Sequence, residues 1–166
     1  MKRIIIIGCM GSGKSTLAAR LHDITAIPLF HLDSIWWRAD RTHISRAEFD
    51  AELNRIMQQD AWIIDGDYSR THAVRFEHCD TVIFLDYSEE QCMNGIVSRV
   101  GKERVDMPWV EQELDPELVE LVKEYRSHTR PRVLELIAAH PELEKHAFCC
   151  RAQADAWLAS LKSARD

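Results

Sequence analysis

Nine residues, Gly8-Cys9-Met10-Gly11-Ser12-Gly13-Lys14-Ser15-Thr16, have the types and spacing of a phosphate-binding loop, G-x-x-x-x-G-K-S. Glycines at 8, 11 and 13 permit a tight turn and leave no Cβ between backbone N–H groups and an anion. Ser12 and Thr16 complete the set of residues expected around a polyphosphate. A helix beginning near Lys14 contributes unpaired N–H groups and the positive end of its dipole. Lys14 is expected to reach the β- and γ-phosphates of a nucleotide, and Ser15 to hold Mg²⁺. Cys9, within the loop, is either a thiol made reactive by the helix end or a small residue filling a position.

Further candidates stand where apolar runs stop. Asp65 follows Trp62-Ile63-Ile64 and precedes Gly66, and it is the expected second carboxylate for Mg²⁺. Asp86 has a similar local setting but leads into a capped helix, so Asp65 is preferred. Asp33 is a candidate base or binder for an acceptor hydroxyl; a strand-end Asp also caps turns. Cys150-Arg151 ends another run. Arg70, Arg99 with Lys102 and Arg104, and Arg126 with Arg130 and Arg132 form separated basic groups. Such groups either converge on a transferring phosphate or make a solvated face. Trp36 and Trp37 are adjacent and point apart, which leaves one for packing and one for a planar substrate.

The elements that must position these residues alternate. Residues 2–7 read as a buried central strand, and 15–23 as a helix. A short strand near 27–32 contains Pro28, which places it at the border of a sheet. Ser45 with Glu48, and Ser88 with Gln91, are capping boxes opening helices over 46–59 and 89–99. Strands are predicted at 60–65, 81–86 and, weakly, 146–150. Short helices are predicted at 69–78 and 153–161. Asp115-Pro116 opens a helix reaching about 127, and Pro131 opens another to 139. Residues 101–106 are charged, without periodicity, and expected to be mobile. Alternating strands and helices predict an α/β fold whose parallel sheet is covered on both faces, with the site at the strands' carboxyl ends.

With 166 residues, one domain is expected, spanning 1–166. A net charge of −6 argues against broad binding to nucleic acid or anionic membrane. No apolar run approaches a membrane span, and five cysteines without C-x-x-C spacing fit reduced thiols, so a cytoplasmic protein, monomer or weak dimer, is expected. The eight histidines have no metal-ligand spacing.

Five segments carry a family resemblance: residues 4–21 (IIIIGCMGSGKSTLAARL), 27–37 (IPLFHLDSIWW), 62–70 (WIIDGDYSR), 81–86 (TVIFLD) and 130–136 (RPRVLEL). Together they resemble the small nucleoside-monophosphate-kinase-like enzymes related to adenylate kinase and shikimate kinase, and most of all the bacterial topology-modulation proteins. The resemblance implies a P-loop NTPase fold, a five-stranded parallel sheet in the order 2-3-1-4-5 with helices on both faces. It implies an acceptor region at about 34–60 and a short lid at about 99–115 carrying Arg99 and Arg104. The segment from Asp65 to Thr71 is similar to the D-G-F-P-R-T of adenylate kinase, which implies that Arg70 contacts an acceptor phosphate. Of that family's two lid-side arginines, one maps to Arg99 and the other falls on Gly95.

The function expected from these readings is transfer of the γ-phosphate of ATP, with Mg²⁺, to a small acceptor, a nucleotide or a hydroxylated metabolite. Lys14, Asp33, Arg70, Arg99, Arg126 and Arg130 are the expected catalytic residues. The alternative is a nucleotide-binding regulatory module with little turnover and a protein or DNA partner.

Overall fold

The isoleucines at positions 4–7 form the middle of β1 (Arg3–Gly8), the central strand of the protein, in a computed structural model that describes residues 1–163. Around β1 lie β2 (Leu29–His31), β3 (Trp62–Asp65), β4 (Thr81–Leu85) and β5 (Glu144–Phe148), all parallel, in the order β2-β3-β1-β4-β5. β2, which follows Pro28, is an edge strand, where a missing N–H costs no ladder bond.

Side chains alternate across a strand, so the four isoleucines divide between two cores. Ile4 and Ile6 face Leu17 and Leu21 of α1 (Lys14–Thr25), Ile96 of α5 (Glu89–Arg99) and Leu158 of α7 (Arg151–Ser163). Ile5 and Ile7 face Phe49, Leu53 and Ile56 of α3 (Arg46–Met57) and Phe76 of α4 (His72–His78). The short α2 (Leu32–Trp36) follows β2 directly, and a 3₁₀ turn (Ser69–Thr71) precedes α4. Both capping boxes form: Ser45 and Ser88 accept from the N–H groups of Glu48 and Gln91, whose side chains reach back to the cap N–H groups.

Two expectations fail. The region from 116 to 139 is one helix, α6 (Pro116–Ala139), with Pro131 inside it. Proline lacks the N–H that would bond the carbonyl of Ser127, but that residue is exposed and water can take the bond. α6 therefore continues from one core, through Val122 and Tyr125, to the other, through Val133. Residues 101–106, expected to be mobile, end at a buried Asp106 fastened by three partners described below. Of the charges in that segment, Arg104 and Asp106 pair with each other, while Lys102 and Glu103 are exposed. No helix among the described residues is long and apolar enough to cross a membrane.

Candidate active site

The sheet register brings three strand ends together. Ile6 pairs with Asp65, and Asp65 with His31, while Gly8 pairs with Leu85. A cavity of about 850 Å³ opens there, floored by Gly11, Gly13, Lys14, Ser15 and Thr16. Gly11 and Gly13 have φ of 79° and 90°, left-handed values suited to glycine. A Cβ on Gly11 would lie 2.1 Å from the carbonyl oxygen of Cys92, and one on Gly95 would lie 1.9 Å from the carbonyl oxygen of Gly11. Helix α5 is thus pressed onto the loop backbone, which explains why residue 95 is glycine and not an arginine. Lys14 donates from Nζ to the carbonyls of Gly8 (2.9 Å) and Cys9 (3.0 Å), so its amine lies along the loop it is meant to serve. The Cys9 thiol is buried, and its neighbour Cys92 together with burial pushes its pKa up. Cys9 therefore fills space as a neutral thiol.

Asp65 is 3% exposed; its Oδ2 meets Nδ1 of His31 at 2.8 Å and its Oδ1 has no hydrogen-bond partner. Burial pulls the His31 pKa down, but the bond to Asp65 and the charges of Asp65, Asp106 and Asp33 together outweigh it, and the net shift is upward. No three His, Cys, Asp or Glu side chains among the described residues gather as a metal cage. Mg²⁺ asks for less, one or two carboxylates and its own waters. The orphaned Asp65 oxygen and the Ser15 hydroxyl, both lining one cavity, fit that demand.

Asp33 lines the same cavity and accepts a 2.8 Å hydrogen bond from the Tyr68 hydroxyl. Burial raises its pKa, the Tyr68 bond opposes this, and the charges of Asp106 and Asp65 add to the rise. Tyr68 sits at φ 34°, stacked on Phe49 at 5.1 Å. Beneath it, the fully buried Arg75 donates to the carbonyls of Gly66 (2.8 Å), Asp67 and Tyr68 (3.3 Å). Burial lowers the Arg75 pKa to about 10. The Asp67 pKa is raised by burial but lowered further by His72, Lys14 and Arg75, so it falls below the usual carboxylate range. Neither Arg75 nor Asp67 stood out in the sequence. A basic residue ten after a strand-end Asp carries no motif, although Asp67 two residues after Asp65 hints at a second inward carboxylate.

Residues of the segment 99–111 line the cavity opposite its floor and bond to Ser15. Ser15 Oγ donates to Asp106 Oδ2 at 2.7 Å, and Ser34 Oγ donates to the Asp106 carbonyl at 3.0 Å. Arg104 grips the Asp106 carboxylate with two bonds, 3.0 and 2.6 Å. Burial alone would raise the Asp106 pKa; Arg104 and Ser15 hold it below the carboxylate range. Arg99 and Arg104 both pair with Glu111, at 2.9 and 3.4 Å, and both line the cavity. Trp109 packs edge-on against Trp37 (5.5 Å) beneath the Arg41 guanidinium (5.8 Å). Trp36 stacks on His43 at 4.4 Å. Both tryptophans are thus engaged in packing the acceptor-side connection and the lid, away from the cavity wall.

Three of the expected arginines lie elsewhere. Arg70 is half exposed and paired with Asp50 of α3 through bonds of 3.0 and 2.6 Å. Arg130 makes two 2.7 Å bonds to Asp86, and Arg126 donates to the carbonyl of Tyr87 at 3.3 Å. Helix α6 turns Leu121, Glu124, Tyr125, His128 and Thr129 to the cavity. Residues 126 and 130 follow that stripe by one position each, about 100° around the helix. Arg151, at the start of α7, does line the cavity, within 3.3 Å of where a Cβ on Gly13 would stand.

No family model matches the chain, and no curated protein matches it. Solved structures do. A shikimate kinase from Acinetobacter baumannii in complex with shikimate superposes with a TM-score of 0.65 at 15% identity, over 99% of this chain and 93% of that one. A gluconokinase from Sinorhizobium meliloti gives 0.58 at 15%, over 99% and 95%. A shikimate kinase from Aquifex aeolicus gives 0.56 at 18%, over 98% of each. The fold is that of the shikimate kinase-like P-loop proteins. At these identities the likeness concerns the P-loop fold alone, and function rests on the side chains of this chain.

Proposed function

We propose that this protein is an ATP- and Mg²⁺-dependent phosphotransferase acting on the hydroxyl of a small metabolite. The observation that carries the reading is one cavity with a phosphate-loop floor on one side and the half-buried Asp33–Tyr68 pair on the other. The kinase names of the structural neighbours agree with it. The likeness of the five segments to topology-modulation proteins belongs to the same reading, with a small molecule rather than DNA as partner. The working unit is the whole chain as one domain, with its acceptor region at about 34–60 and its lid at about 99–115.

Loop N–H groups and Lys14 hold the β- and γ-phosphates, Lys14 exchanging its two loop carbonyls for phosphate oxygens. Ser15 and Asp65 would hold Mg²⁺, which would supply positive charge to the phosphate oxygens. The acceptor hydroxyl oxygen attacks the γ-phosphorus, and the bond to the β–γ bridging oxygen breaks, leaving ADP. Asp33 takes the hydroxyl proton; its raised pKa suits a base. Arg99 and Arg104 supply positive charge to the transferring group once Glu111 and Asp106 release them. The test is ADP release with ATP-Mg²⁺ over a panel of small alcohols and nucleotides, for the protein and for Lys14→Ala. Lys14-dependent product is expected; slow ATP hydrolysis that no acceptor accelerates would remove the reading.

A further inference from the structure

Basic side chains gather on one side of the cavity. They lie on the loop, α1, residues 99–106 and the start of α7, as Lys14, Arg20, Arg99, Arg104 and Arg151, with Glu103 and Asp106 among them. The opposite wall is built from the ends of β2 and β3 and from one stripe of α6, and it carries Asp33, Asp67 and Glu124. Arginines on those same elements are held outside the lining, Arg70 by Asp50 and Arg130 by Asp86. His128 is the one basic side chain that wall presents among the described residues.

A second observation concerns hydrogen bonds. The Tyr125 hydroxyl is buried, with the residue 4% exposed, and it has no partner. Asp67 Oδ1 faces His72 Nε2 at 3.4 Å, which gives that oxygen a partner. Buried polar atoms in native proteins are nearly always satisfied, so the Tyr125 hydroxyl points to a ligand. Ionised carboxylates only accept, and a phenol can accept as well as donate. The wall therefore asks for O–H or N–H⁺ donors. A carboxylate or phosphate brought there would set oxygen lone pairs and negative charge against the same.

We propose that the phosphoryl acceptor is a neutral or cationic alcohol, of the polyol, nucleoside or amino-alcohol type, rather than a hydroxy acid or a compound already phosphorylated. This rests on the kinase reading above and narrows its acceptor. It sets this wall apart from any that must hold a carboxylate, such as that of shikimate.

The experiment compares matched acceptors at fixed ATP-Mg²⁺ on the full chain: glucosamine, glucose, glucuronate and glucose 6-phosphate, and adenosine against AMP. The neutral or amine member of a set is expected to exceed its anionic counterpart in kcat/KM by at least about tenfold. A preference of that size for the anionic member would overturn the proposal while leaving the kinase reading intact. Lack of Lys14-dependent product from every member would remove both. Asp67 is packed against His72 and Arg75, so charge reversal is made instead at the exposed Glu124. Glu124→Lys is expected to shift the neutral-to-anionic kcat/KM ratio toward the anion by about tenfold. An unchanged ratio would count against the acidic wall.

Discussion

Asp33 and Tyr68 form the site's most informative pair. Burial in the cavity wall raises the Asp33 pKa, and the bond from Tyr68 restrains that rise. If Asp33 takes the acceptor's proton, kcat/KM falls as pH drops through this raised pKa, because the protonated acid cannot act as base. Tyr68→Phe removes the group that favours the ionised form. The acid limb of the kcat/KM–pH profile is therefore expected to move to higher pH by up to about one unit. A limb that stays in place would mean that Asp33 orients the acceptor without taking its proton. Asp65 differs in kind: a His31 partner on one oxygen and none on the other suit a metal-side carboxylate.

At the scale of elements, two contacts govern how the loop meets its surroundings. Helix α5 approaches the loop so closely that a methyl at residue 95 would strike the Gly11 carbonyl. Gly95→Ala must push α5 and the loop apart, and a destabilisation of about 1–3 kcal/mol is expected in urea melts. ATP binding should weaken in the same variant, read by titration with a fluorescent ATP analogue; a fully stable variant with unchanged affinity would contradict the packing. The lid makes the second contact. Asp106 is held ionised against Ser15 by Arg104, where a nucleotide's negative phosphates must approach. Asp106→Asn removes one like charge and frees Arg104, so ATP-Mg²⁺ is expected to bind roughly tenfold tighter. Weaker binding would place Asp106 among the metal-side carboxylates instead.

At the scale of the whole molecule, ligand binding reports on folding, because a phosphate loop exists only in the folded chain. Saturating ATP-Mg²⁺ at about a hundredfold over Kd should stabilise the protein by about 2.7 kcal/mol. For a chain of this size that is a rise in Tm of roughly 5–10 °C, measurable by calorimetry. Lys14→Ala should abolish most of the shift while leaving the ligand-free Tm little changed, since Lys14 bonds only two carbonyls of its own loop. A shift that persists undiminished in this variant would place the nucleotide elsewhere.

Local rules sufficed for much of this protein. Four consecutive isoleucines ending at a glycine could only be a buried strand entering a turn, and the lysine and serine that follow name the anion they serve. Capping boxes at Ser45 and Ser88 start their helices where expected because a cap is made within four residues. Alternation predicted a parallel sheet and the family resemblance implied its strand order, and the sheet has both. Asp33 and Asp65 were visible as polar residues ending apolar runs, and parallel register puts such ends on one edge. Partners distant in sequence were not visible. Whether an arginine faces a cavity or an aspartate is decided by rotation about a helix and by what another element offers: Arg130 lies 44 residues from Asp86, and Arg70 20 residues from Asp50. The pairing of Asp106 with Ser15 spans 91 residues, so a segment that looked like a solvated loop is fastened at its end. The chain's own order thus specified the glycine-rich loop and the lysine and serine that close it. Only the packed structure decided which charges face it, because long side chains choose partners across the fold and not along the chain.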